Sequence, residues 1–78
     1  ELNIMQKNAD TPKLPAILHA LKLKYESEIA IAKTNLDVYL NNSVGVGEHS
    51  TIVEASEVEL KRIDAAQAML DVIARHYL

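Results

Sequence analysis

One short break, Asn41-Asn42-Ser43-Val44-Gly45-Val46-Gly47-Glu48-His49, constrains this chain more than any other feature. It holds both glycines of the 78-residue sequence. On either side lies a long run of apolar residues at the three- and four-residue steps of a helix. One interruption between two matched helical runs predicts an all-α fold, an antiparallel helical hairpin. The spacing predicts helices over 11–42 and 51–77, a loop over 43–50 and an arm over 1–10.

Each helix carries a start signal. Asp10 and Thr11 suit an N-cap, and Pro12 suits the first helical position, where a missing N–H costs nothing. At the second start Ser50 or Thr51 suits the N-cap, and with Thr51 there Glu54 three residues on completes a capping box. Arg75 and His76 close that helix, where the macrodipole favours cations.

The apolar positions come in more than one line. On the first helix, Leu14, Leu18, Leu21, Tyr25, Ile29, Ala32, Leu36 and Tyr39 follow steps of 4, 3, 4, 4, 3, 4 and 3. Those steps contain an eleven-residue repeat, which keeps a stripe almost straight. A second, sparser line carries Ile17, Leu23, Ile31, Val38 and Leu40. On the second helix the main line is Ile52, Ser56, Leu60, Ile63, Ala66/Gln67, Leu70, Ile73 and Tyr77. Beside it run Ala55, Val58, Ala65, Met69 and Val72. Two helices cannot cover two double-width apolar faces. The economical remedy is pairing of two hairpins into a dimeric four-helix bundle, or a higher homo-oligomer. Ile17, Ile31, Val38, Ala65, Met69 and Val72 are the candidate residues of that oligomer face. A three-helix monomer with residues 1–10 on the second face is the alternative.

Composition narrows the function. Apolar residues are 49% of the chain, yet three tyrosines are the only aromatics, so stacking platforms for single-stranded nucleic acid are scarce. There is no cysteine, which excludes disulfides and thiolate metal sites. The net charge of −3 argues against nucleic acid as a partner. No apolar run approaches the ~20 residues of a membrane span. The first ten residues lack the layout of a signal peptide.

The motifs that could carry chemistry are weak. Val44-Gly45-Val46-Gly47 lacks the Lys-Ser/Thr of a phosphate loop and the third glycine of a dinucleotide fingerprint, so its glycines read as turn residues. His19, His49 and His76 form no helical ligand pair, and no Glu-x-x-His is present for a carboxylate-bridged metal. Glu26, Glu28, Glu54, Glu57 and Glu59 read as a solvated face. Lys13, Lys22, Lys24 and His19 form a small basic area, suited at most to weak phosphate contact. No Ser-His-Asp or Cys-His set can be assembled. The sequence therefore predicts a non-enzymatic protein with no cofactor and no metal. Its expected partners are a second copy of itself and another, unidentified protein.

The segment Tyr39–Ala55, YLNNSVGVGEHSTIVEA, preceded by Lys24–Val38, resembles short uncharacterised helical-hairpin proteins of T4-like tailed phages. Those join two helices through a loop of the form N-N-x-V-G-V-G-E-H, often followed by proline. Ser50 stands at that point here. The likeness covers about residues 20–78. It implies a phage accessory protein of the bacterial host cytoplasm that works by binding, with an accessory role in phage DNA metabolism as the competing possibility. Val44, Val46, Glu48 and His49 exceed what a connector needs, which makes the loop tip a second candidate contact.

Overall fold

The structure is a computed structural model that describes residues 14–41 and 49–78. Two helices, α1 (Ala16–Asn41) and α2 (His49–Tyr77), pack against each other, and the described residues contain no strand. At ~1.5 Å per residue the helices are about 39 Å and 44 Å long. The radius of gyration is 18.2 Å, where a compact domain of this size would have about 10–12 Å. The molecule is a rod.

α1 begins later than its sequence predicts, because Pro15 and not Pro12 is its boundary. A proline disfavours helical geometry at the residue before it. Leu14 is accordingly outside the helix, and the Pro15 carbonyl accepts the first helical bond, from the His19 N–H at 2.9 Å. Asp10, Thr11 and Pro12 lie outside the described residues. α2 begins earlier than expected, at His49. Thr51, a predicted N-cap candidate, therefore stands inside the first turn of α2. No acidic residue occupies that first turn, whereas Arg75 and His76 do close the last one.

Burial shows which line of each helix faces the other. On α1 it passes through Leu18, Leu21, Tyr25, Glu28, Ala32, Asn35 and Tyr39, with Ile29 and Leu36 half-buried beside it. On α2 it passes through Ile52, Ser56, Glu59, Ile63, Ala66, Leu70 and Ile73. Both lines step 3-4-3-4, which is the heptad seam of a coiled coil and not an eleven-residue repeat. Of the predicted α1 stripe, Leu18, Leu21, Tyr25, Ala32 and Tyr39 lie in the seam, Ile29 and Leu36 flank it, Leu14 precedes the helix, and Glu28 and Asn35 fill the remaining seam positions. On α2 the prediction needs two corrections. Leu60 and Tyr77 are 54% and 57% exposed, and Glu59, read as part of a solvated face, is 6% exposed in the seam.

Tyr39 and Ile52 line one groove, and an antiparallel register that sets these two level matches seam position to seam position along both helices. Seven residues back along α1 match seven forward along α2. Ala32 is then level with Glu59, Tyr25 with Ala66 and Leu18 with Ile73. The intervening layers bring Asn35 level with Ser56 and Leu21 level with Leu70. Small residues meet large ones, so the axes can approach closely. Ala32 is fully buried and Ala66 is 1% exposed.

The four ion pairs among the described residues are all within a helix: Lys22–Glu26 at 2.9 Å, Lys24–Glu28 at 3.9 Å, Glu57–Lys61 at 3.8 Å and Glu59–Arg62 at 3.3 Å. None of these four pairs joins α1 to α2, so they do not hold the register. Packing of the seam holds it.

Candidate functional site

The seam defines two sides of the hairpin. In an antiparallel pair, positions just before the seam residues on one helix sit beside their equivalents on the other. On α1 that side carries Ile17, Lys24, Ile31 and Val38, with Ala20, Ser27 and Thr34 further out. On α2 it carries Ala55, Arg62 and Met69, with Val58, Ala65 and Val72 further out. All six predicted oligomer-face residues (Ile17, Ile31, Val38, Ala65, Met69 and Val72) therefore fall on one side of the rod. All six are exposed, Ile17 to 75%. The sparse α1 line of the sequence splits. Leu23 points away from the seam, and Leu40 lies on the opposite side.

Two cations interrupt this apolar side, and each is tied to its own helix. Arg62 Nη1 meets the seam carboxylate Glu59 at 3.3 Å. Lys24 Nζ lies 3.9 Å from Glu28 and 5.3 Å from the Tyr25 ring centroid. The Thr34 hydroxyl donates to the Ala30 carbonyl at 2.9 Å, so its polar atom is already satisfied and its methyl is free to pack. Arg62, Lys24 and Thr34 are thus each satisfied within their own helix, which lowers the cost of covering this side.

The opposite side has an open groove near the junction of the helices. Tyr39, Leu40, Ile52, Val53, Ser56, Glu57 and Leu60 line it, with a volume of about 630 Å³. Leu40, Val53 and Leu60 are exposed there. Sequence reasoning missed this groove, because it placed Leu60 in the seam. The exposed steps Val53, Leu60 and Leu40 were the available signal.

The second predicted contact, Val44, Val46, Glu48 and His49, falls largely outside the described residues; His49 is the first residue of α2. The basic area of α1 is internally engaged, since Lys22 and Lys24 are paired with Glu26 and Glu28. Among the described residues no group of three or more His, Asp or Glu is placed to hold a metal. No helix among them is long and apolar enough to cross a membrane. No family model, no curated protein and no solved structure matches the chain.

Proposed function

We propose that this chain is a non-enzymatic helical interaction protein that works as a homo-oligomer, with a hairpin as its unit. One observation carries the reading: the side bearing Ile17, Ile31, Val38, Ala65, Met69 and Val72 leaves five large apolar side chains exposed, whereas Ile73 is the one large apolar side chain buried among the described residues. The other buried residues among those described are Ala32, Ala66 and Glu59. A core so slight needs a further staple in a chain this short, and self-association is the one that the composition permits. The likeness of the loop to those of T4-like phage hairpins supports an accessory role in an infected bacterial cell, exercised through contact with another protein.

Sedimentation equilibrium is the test. The expected result is a dimer or larger species at tens of micromolar, with thermal unfolding that shifts upward as concentration rises. A monomer over that whole range overturns the proposal.

A further inference from the structure

Resting on that reading, we infer that two copies pair isologously, with α2 packed antiparallel on α2 of the second copy through Ala55, Val58, Arg62, Ala65, Met69 and Val72. These residues form a second heptad line of 3-4-3-4 steps, displaced to one side of the internal seam. A helix carrying two such lines is built to meet two partner helices. α1 takes the first line.

The second line is self-complementary. When an antiparallel copy is laid on it about the middle of α2, Val58 meets Met69 of the second copy, Ala55 meets its Val72, and Arg62 meets its Ala65. The longest side chain of the line, Arg62, thereby falls against one of the smallest. Its charge is already paired with Glu59, so its methylene stem can cover apolar surface.

The same register settles a charge pattern that the single hairpin leaves unexplained. Residues flanking the line on its outer edge are Glu54, Lys61, Ala68 and Arg75. The antiparallel alignment sets Glu54 beside Arg75 of the second copy, and by symmetry Arg75 beside its Glu54. Within the hairpin neither has an ion-pair partner among the described residues, although four other charged pairs are formed. Lys61 falls beside Ala68 and faces no like charge. Two hairpins stacked side on side share a face about 40 Å long and two helices wide, roughly 800 Å² per copy, which is the size of a standard stable interface.

Two independent measurements test the pairing, alongside sedimentation of the unaltered chain. In the first, Ala65→Cys is oxidised; the chain has no cysteine of its own. Ala65 lies beside the twofold, as near to it as Arg62, so a covalent dimer is expected, whereas Val53→Cys on the opposite side gives none. In the second, Glu54→Arg and Arg75→Glu are each made alone, at exposed positions where helicity is retained. Each homodimer then carries two like-charge contacts and weakens about tenfold, while an equimolar mixture recovers association as a heterodimer with both contacts restored. An oligomeric wild type that fails to cross-link at Ala65 and whose charge variants do not recover on mixing overturns this pairing and leaves the proposed function standing. A monomeric wild type overturns both.

Discussion

The internal seam has two halves of different character. Toward the end where α1 begins, its layers are Leu18 with Ile73, Leu21 with Leu70 and Tyr25 with Ala66. Toward the middle they are Glu28 with Ile63, Ala32 with Glu59 and Asn35 with Ser56. The first half is apolar and carries most of the hydrophobic stabilisation that the hairpin has. The second buries little apolar area and places polar groups where a coiled coil prefers leucine. Polar residues at seam positions cost stability and fix register. The hairpin thus separates the two tasks along its length: one half holds the helices together, and the other says how they are aligned.

Substitutions along the seam can break that division. Ile73→Ala removes the most buried large side chain of the apolar half, which is 5% exposed. It is expected to cost about 2–4 kcal/mol in urea unfolding at fixed protein concentration. A loss under 1 kcal/mol would show that the apolar half does not carry the hairpin. Arg62→Ala comes next. It strips the Glu59 carboxylate of its ion pair within the seam, and a loss of about 1–3 kcal/mol is expected. Glu59→Leu should go the other way. An apolar side chain opposite Ala32 is neutral or stabilises by about 1 kcal/mol, yet it removes a register marker. Amide NMR spectra of that variant should show doubled resonances from slipped pairings; a single sharp set would remove the alignment role from Glu59. The smallest effect belongs to Lys61→Ala, which deletes an exposed pair with Glu57 and should change stability by less than about 0.5 kcal/mol.

The polar half is also where the sequence was hardest to read. Leu14, Leu18, Leu21, Tyr25, Ile29, Ala32, Leu36 and Tyr39 mark the inner side of α1 plainly, since Leu and Ile recur at helical steps with polar residues between them. On α2, Ser56 is followed by Glu59 and Leu60 before Ile63. Either path is helical, and hydrophobicity alone selects Leu60. What selects Glu59 is the partner: the fully buried Ala32 at that level leaves space for a longer side chain, and the Arg62 guanidinium is in reach of its carboxylate. The first of these facts does not belong to α2 taken alone. The exposed apolar line of Ile17, Ile31, Val38, Ala65, Met69 and Val72 was legible for the opposite reason, because a surplus of apolar residues is a property of each helix by itself. Helix boundaries were blurred by competing signals. Two prolines three apart each offer a start, and the one nearer the helix prevails.

Confinement of the ion pairs to single helices has a consequence for ionic strength. Lys22–Glu26, Lys24–Glu28, Glu57–Lys61 and Glu59–Arg62 add to each helix separately, and none of them bridges α1 to α2. Added salt shortens the screening length from about 10 Å at 0.1 M to about 3 Å at 1 M. It therefore erodes the stability of each helix slightly but leaves the alignment of the two unchanged. Among the described residues no ion pair fixes the alignment of the two helices, so a marked salt dependence points to contacts made by the outer surface.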